Sequence, residues 1–307
     1  MNWQPSADLH ALRARARLNQ QIRQFFAQRN VLEVETPVLA AAPVSDPNIE
    51  PMCTTEQRWL HTSPEYAMKR LLCAGSGDIF QIARVFRRGE AGRRHNPEFS
   101  MLEWYRVGFD HRRLMDEVAE LVTRLLSARY PQLPRLNLSY DEAMKGYAGL
   151  DVHSASDEQI AVLGQQLAGQ DLQLSRDGWL DVIMSHQVEP SLPADTLVFI
   201  DGFPASQAAL AKVAANAEGI PVAQRFELYF NGAELANGYH ELTDVDEQRR
   251  RFTREADGRP VDEYLLAALE YGLPECAGVA MGLDRLLMII QNTGNIADVL
   301  SFDWLRA

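Results

Sequence analysis

The sequence predicts an α+β fold built on an antiparallel sheet, and three observations carry that prediction. Two pairs of strand-like runs are joined by turns, one pair across a charged loop near residues 87–98 and the other across Asn231-Gly232. Asn-Gly between two such runs is a strong hairpin signal. The helical patterns are grouped between these hairpins and do not alternate singly with strands, as βαβ units would. No internal repeat, low-complexity tract or long linker divides the 307 residues, so a single domain over 1–307 is expected.

Taken in order, residues 8–30 carry an amphipathic helix with Leu9, Leu12, Ala16, Ile22 and Phe26 along one face and the arginines mostly off it. Residues 31–35 read as a strand running into Pro37, and the proline-rich stretch 40–51 reads as a loop. Two short strands follow, ending at 59–62. Ser63-Pro64-Glu65 is a helix start, with Ser63 as N-cap and Pro64 at the first helical position. The helix 65–73 leads through Gly75-Ser76-Gly77 into the first hairpin, 79–86 and 99–107. A long helix is expected over 111–129, marked by Leu114, Val118, Leu121, Val122 and Leu125.

The segment 130–195 differs in character. Ser139 and Ser156 each head a short helical pattern, the second as a capping box with Gln159, and a small helical insertion is expected there. Strands at 196–200, 222–230 and 234–239 follow, then helices near 244–256 and 261–271. A last strand at 276–280 and a helix at 282–291 close the pattern.

A composition of 46% hydrophobic and 23% charged residues belongs to ordinary soluble globular chains. The apolar stretch 279–290 is interrupted by Asp284 and Arg285 and is too short to span a bilayer, so no membrane association is expected. The net charge of −12 opposes sequence-independent binding to nucleic-acid phosphates. Cys53, Cys73 and Cys276 are widely spaced without a CxxC pair, which fits a reducing cytoplasm better than a disulfide framework or a zinc site. The N-terminus is polar and basic, so no signal peptide is expected. The only lysines are Lys69, Lys145 and Lys212.

Three sets of residues could carry chemistry. In the first hairpin, Arg84, Arg87, Arg88, Arg93 and Arg94 gather at the mouth, while Glu103 and Tyr105 share one face of the returning strand. A guanidinium that closes an apolar strand, as Arg87 does, can clamp an oxyanion. Arg93 and Arg94 read equally as phosphate contacts, acceptor contacts or a solvated turn. The second set is Glu227, Glu234 and Glu241 with Asn237 among them. Glu227 and Glu234 flank the Asn231-Gly232 turn, close but not directly opposite, and Phe226, Leu228 and Tyr229 suggest that Glu227 is buried. Carboxylates so placed repel unless a cation lies between them, and oxygen donors of this kind suit Mg²⁺ carrying nucleotide phosphates. The third is Gly278-Val279-Ala280-Met281-Gly282-Leu283-Asp284-Arg285, where small alternate residues admit a ligand to the backbone. There Arg285, in the first turn of a helix, is disfavoured unless an anion is near.

Together these motifs resemble a class II aminoacyl-tRNA synthetase catalytic domain of the lysyl type. The first helix, strand and Pro37 resemble that family's first, dimer-forming motif; VFRRGEAGRRHNPEFSMLEWY resembles the second and GVAMGLDRLLM the third. FELYFNGAELANGYHEL is similar to the stretch that carries the metal and substrate carboxylates. The resemblance covers about residues 8–304 and implies an antiparallel sheet flanked by helices, in a homodimer.

It also implies roles. Arg87 would hold the α-phosphate of ATP and stabilise charge during adenylation, His95, Asn96 and Arg285 would hold the outer phosphates, and Phe99 would stack on adenine. Glu227 and Glu234 would bind Mg²⁺, with the backbone of Leu228 and Gly282 near the nucleotide. Ser63 and Glu65 would meet an amino group near the substrate carboxylate, while Glu103, Tyr105, Asn237 and Glu241 would take a terminal ammonium.

No anticodon-binding barrel is expected, because the first helix begins within ten residues of Met1. The pattern is most similar to truncated lysyl-tRNA synthetase paralogues, which activate (R)-β-lysine with ATP and attach it to elongation factor P, and tRNA is not an expected partner. Two features depart from the lysyl pattern. Gly89 replaces the usual acid of the second motif, leaving Glu90 or the backbone to read adenine. Ala236 and Ala280 stand where glycine is common, which would suit an amine displaced by one carbon. A minimal synthetase charging α-lysine, a free-standing amide-forming ligase and a non-catalytic paralogue stay open as alternatives.

Overall fold

The computed structural model describes residues 3–46, 49–170, 172–255 and 258–307. Residues 47–48 of the expected loop and Ala256 at the end of the expected helix 244–256 lie outside them.

Among the described residues the chain forms twelve strands: β1 (Leu32–Glu33), β2 (Leu39–Ala40), β3 (Met52–Cys53), β4 (Trp59–Leu60), β5 (Ile79–Phe86), β6 (Glu98–Val107), β7 (Arg135–Ser139), β8 (Leu197–Pro204), β9 (Val213–Ala215), β10 (Pro221–Phe230), β11 (Ala233–His240) and β12 (Cys276–Gly282). Nine of them build one sheet in the order β1-β5-β6-β12-β11-β10-β8-β7, with β9 against β10, and β2-β4-β3 form a small second sheet. The pairings are antiparallel except β1 with β5 and β7 with β8. The α+β class with an antiparallel sheet is therefore borne out. Both predicted hairpins form, and Asn231 and Gly232 take the left-handed conformation (φ 50° and 67°) that a tight two-residue turn requires.

Side chains alternate across this sheet with a period of two, and the alternation divides core from cavity. From β6, β12 and β10, Leu102, Trp104, Ala277, Val279, Met281, Phe226, Leu228 and Phe230 enter the main apolar core. There they meet the helices Leu9–Ala27, His111–Leu126 and Leu283–Gln291, with Phe26 stacked on Phe80 at 4.4 Å. Trp104 satisfies its buried indole N–H on Glu117 at 3.0 Å. On the other face, the same strands present Met101, Glu103, Tyr105, Gly278, Ala280, Arg225 and Glu227 to one cavity.

Several expectations change. The buried stripe of the first helix is Ala11, Ala14, Leu18, Ile22, Phe25 and Phe26, whereas Leu9 and Ala16 are exposed. The i, i+3, i+4 spacing is satisfied a few residues away from the stripe first read. The strand expected at 31–35 shrinks to the two residues of β1. The segment 130–195 is not helical throughout, because β7 joins the main sheet through a parallel pairing with β8 that is remote in sequence. Its helices then pack through Tyr140, Ile160, Trp179 and Ile183 onto Val198, Ile200 and Tyr229 of the sheet. Both serines head their helices as read; the capping box of Ser156 with Gln159 forms, and Ser139 forms a second one with Glu142. The helix Glu65–Cys73 starts one residue late: Pro64 holds the N-cap position without a side-chain bond, while the Ser63 hydroxyl accepts from the Glu65 N–H at 3.0 Å.

Candidate active site

The cavity, about 340 Å³, lies over the middle of the sheet between β6, β12, β11 and β10. It gathers residues from each of the three sets read from the sequence, though not Arg84, Arg88 or Arg93, and has two chemically distinct ends.

The closed end is acidic. Glu65, Glu103 and Glu241 are 8%, 2% and 1% exposed, so three carboxylates have left water within one pocket. Glu103 accepts from Tyr105 Oη and from Ser63 Oγ, both at 2.7 Å. Lys69 Nζ lies 2.6 Å from Glu65 Oε1 and 2.6 Å from Glu241 Oε2. That contact is a close ion pair, yet neither oxygen of Glu241 accepts a well-aligned hydrogen bond from a described residue. Burial, together with the charge of Glu65, pushes the Glu103 carboxyl up to about 8. Burial also pushes Glu241 up to about 7, against the pull of Lys69. The Tyr105 hydroxyl is raised by burial and by Glu103, so it stays a donor. Carboxylates in this condition are stabilised by any cation that can reach them.

The open end is basic. The Arg87 guanidinium lies 5.1 Å from the Phe99 ring centroid and 3.7 Å from Glu90, and its buried Nε has no partner among the described residues. Arg285 donates to the Glu234 carbonyl at 2.8 Å and approaches His95 Nε2 at 2.5 Å. Burial and Arg285 lower the His95 pKa, so the imidazole is neutral near pH 7. Between the two ends lie Glu227 and Glu234. A register shift between Leu228 and Tyr229 sets Glu227 opposite Asn237 and Glu234 opposite Tyr229. Arg225 and Tyr229 both hydrogen-bond Glu227. Desolvation and the neighbouring Glu227 raise Glu234 to about 7, although its side chain keeps part of its surface open to solvent. The repulsion expected of this pair is thus present, and Arg225 and Arg285 supply part of the compensating charge.

Comparison with known proteins follows the same lines. The family described as tRNA synthetases class II (D, K and N) matches residues 4–305. This chain belongs to that class II synthetase family. Among curated class II relatives, an elongation factor P–(R)-β-lysine ligase of Pasteurella multocida is 46% identical over 98% of this chain and 97% of that protein. Enzymes of the same name from Proteus mirabilis (45%; 100% and 98%) and Haemophilus influenzae (45%; 98% and 97%) are similar over comparable spans.

The class II motifs sit where the cavity needs them, but not every side chain is free for a ligand. Ser63, Glu65, Arg87, His95, Asn96, Phe99, Glu103, Tyr105, Glu227, Glu234, Asn237, Glu241, Gly282 and Arg285 all line the cavity. Leu228 does not; its side chain is in the core, which leaves only its backbone for a nucleotide. Asn96 spends both polar groups on backbone, donating to the Glu98 carbonyl at 2.7 Å and accepting from the Trp304 N–H at 2.9 Å. Asn237 accepts from Arg225 Nε at 3.3 Å, toward Glu227. Arg93 and Arg94 donate to the Gly294 and Gly232 carbonyls at 2.9 and 3.1 Å, so both brace the hairpin mouth. Arg88 pairs with Glu50 at 3.2 Å, and Arg84 with Glu98 at 3.4 Å.

Three residues were missed. Lys69 reads in the sequence as an ordinary i, i+4 partner of Glu65 on a helix, and only tertiary packing buries it. Arg225 and Tyr239 carried a signal in their two-residue spacing from Glu227 and Asn237, which places them on the same cavity face.

Gly278 fixes how closely the strand backbone approaches the acidic end. A Cβ there would collide with Tyr105 Cε1 and come within 2.5 Å of Glu241 Oε1. Gly278→Ala is expected to displace both side chains and destabilise the fold by about 1–3 kcal/mol. A thermal melt would register that loss, and the KM for the amino acid should rise more than the KM for ATP.

Proposed function

We propose that this chain activates (R)-β-lysine with ATP as an adenylate and transfers it to a lysine ε-amine of elongation factor P. The observation that carries the reading is the closed end of the cavity, where three buried carboxylates gather and one buried lysine pairs with two of them. Such a surplus favours an amino acid with two ammonium groups, and the names of relatives near 45% identity agree with it.

In this reading the substrate carboxylate attacks the α-phosphorus of ATP and pyrophosphate leaves. The acceptor amine then attacks the acyl carbon, AMP departs, and the amine loses a proton. Arg87 meets the charge that builds on the α-phosphate, Arg285 and His95 meet the outer phosphates, and Phe99 offers a face to adenine. Ser63 and Glu65 take the amine nearer the carboxylate, while Glu103, Tyr105 and Glu241 take the terminal ammonium. Positioning and charge stabilisation carry the first step without a protein nucleophile.

Glu234 and Glu227 would hold Mg²⁺, whose other ligands would be phosphate oxygens and water, as suits a cation that keeps much of its hydration. The raised Glu234 carboxyl fits a cation there, and among the described residues no group of three or more His, Cys, Asp or Glu could hold a metal by itself. Mg²⁺ would neutralise charge on the phosphates.

A homodimer through the first-motif segment belongs to the same reading. Leu9, Leu32, Val38 and Leu39 are 68%, 56%, 39% and 48% exposed there, an apolar surface that a second copy would cover. We also read 130–195 as an insertion into the catalytic domain, and the reaction as cytoplasmic. Among the described residues no helix is long and apolar enough to cross a membrane.

ATP–pyrophosphate exchange with (R)-β-lysine and with α-lysine tests the first step, and mass spectrometry of elongation factor P after incubation tests the second. Faster exchange with (R)-β-lysine and a gain of one β-lysyl group are expected. Exchange without a mass gain would remove the acceptor, and no exchange with either isomer would remove the activity. Ala280 pairs with Glu103 and lines the cavity, so its methyl narrows the wall beside the carboxylates. Ala280→Gly is expected to raise α-lysine activation relative to (R)-β-lysine by roughly tenfold. An unchanged ratio would remove that methyl as the source of selectivity.

A further inference from the structure

The three carboxylates at the closed end differ in what holds them. Glu103 rests on two neutral hydroxyls, Ser63 and Tyr105. Glu65 and Glu241 instead share Lys69 Nζ, at 2.6 Å each. Lys69 is 2% exposed and does not itself line the cavity, so it works from behind the two carboxylates. Burial alone would strip its proton, but the two acids outweigh burial and keep it charged. Its helix, Glu65–Cys73, is anchored through Met68 and Leu72 in an apolar cluster with Leu265, Leu266 and Leu269, so the ammonium cannot wander.

Formal charge then gives the pocket its character. Once all three acids are ionised, as an ammonium guest requires, three carboxylates and one ammonium leave two negative charges, the complement of a guest with two ammonium groups. The buried oxygens of Glu241 accept no well-aligned hydrogen bond from the described residues, so the cavity-lining carboxylate keeps acceptor capacity beyond its ion pair with Lys69. Removing Lys69 would leave Glu65 and Glu241 without their shared counter-ion, and an unpaired buried carboxylate is driven toward the neutral form, which attracts an amine less.

Building on the amino-acid reading above, we propose that Lys69 is a specificity-determining positioning residue: a built-in counter-ion that holds Glu65 and Glu241 apart and sets the pocket charge to match a doubly cationic amino acid.

The test uses the full chain and compares Glu241→Gln with the double variant Lys69→Met/Glu241→Gln. Glu241→Gln leaves one formal negative charge, and the double variant restores two. The double variant is therefore expected to show a lower KM for (R)-β-lysine than Glu241→Gln, by about fivefold or more, with the KM for ATP equal in both. Lys69→Met alone should raise the amino-acid KM about tenfold or more. It should also make that KM fall more steeply between pH 6 and 9, as the abandoned carboxylates shed their protons. A double variant that binds the amino acid no better than Glu241→Gln, or that no longer melts cooperatively, would overturn the role. Failure of the wild-type chain to exchange pyrophosphate with any lysine isomer would strike the functional reading, which these variants do not address.

Discussion

Replacement of Arg87 by alanine is expected to lower kcat for ATP–pyrophosphate exchange roughly 10³-fold, with a much smaller effect on the KM for the amino acid. The argument rests on placement. Arg87 follows directly on the last residue of β5, where backbone pairing with β6 fixes its Cα, and its N–H donates to the Pro97 carbonyl at 2.9 Å. Phe99 lies beside the guanidinium and Glu90 on one edge, and the buried Nε has no hydrogen-bond partner among the described residues. A buried donor held ready in this way costs little reorganisation when charge develops beside it, and single donors of this type are worth about 10²–10³ in kcat. A guanidinium on a transferring phosphoryl group reaches higher values, about 10³–10⁵. Arg87→Lys should recover only part of the rate, because an ammonium lacks the planar fork. An Arg87→Ala variant that keeps its kcat would remove Arg87 from the α-phosphate.

The second large effect falls on the amino acid. Glu103→Gln is expected to raise its KM about 10²-fold or more, as truncating one partner of a buried charge pair costs about 2–5 kcal/mol. The pH dependence provides an independent readout. Glu103 and Glu241 are raised to about 8 and about 7, and each must lose its proton to receive an ammonium. In the wild-type chain the amino-acid KM should therefore fall as pH rises from 6 to 9. In Glu103→Gln the component near pH 8 should vanish while that near pH 7 remains. The same shifts set the sign for stability. A carboxylate whose folded pKa lies above its unfolded value holds its proton longer in the folded chain. The stability this confers is fully present below the unfolded value of 4.5 and is lost progressively from there as pH climbs through 7 and 8. Without amino acid, the melting temperature should fall over that window, and added (R)-β-lysine should raise it more at pH 8 than at pH 6.

Much of this arrangement was legible in the sequence because it rests on local rules. Asn231-Gly232 permits one kind of turn, and that turn brings Glu227 and Glu234 near each other. Glu103 and Tyr105 share a face by strand periodicity, and the structure joins them by a hydrogen bond. Ser139 and Ser156 announce their helices by capping chemistry that lies within four residues. What escaped depends on contacts between distant segments. The strand β7 is short and pairs with β8 across some sixty residues, and nothing in Arg135–Ser139 announces a parallel neighbour. Lys69 and Glu65 have the spacing of a surface ion pair, and only the arrival of Glu241 from β11's far end, with the apolar cluster beneath, turns that pair into a buried triad. Asn96 carries no mark in the sequence that its side chain serves backbone groups.

The contacts of the C-terminal segment also bear on the order in which the protein is made. Arg93 in the hairpin loop is bridged to Gly294 through its side chain and to Ile296 through its carbonyl, Asn96 accepts from Trp304, and Ser6 and Ala7 pair with Ser301 and Leu300. A ribosome that has finished the sheet at Gly282 has therefore not finished the basic end of the cavity, whose loop is secured in part by residues translated after it. The carboxylates of the acidic end, Glu65, Glu103 and Glu241, all precede those residues in the chain. A released chain that ends before Trp304 should thus keep amino-acid binding better than use of ATP, an order of loss that follows from where the last contacts lie.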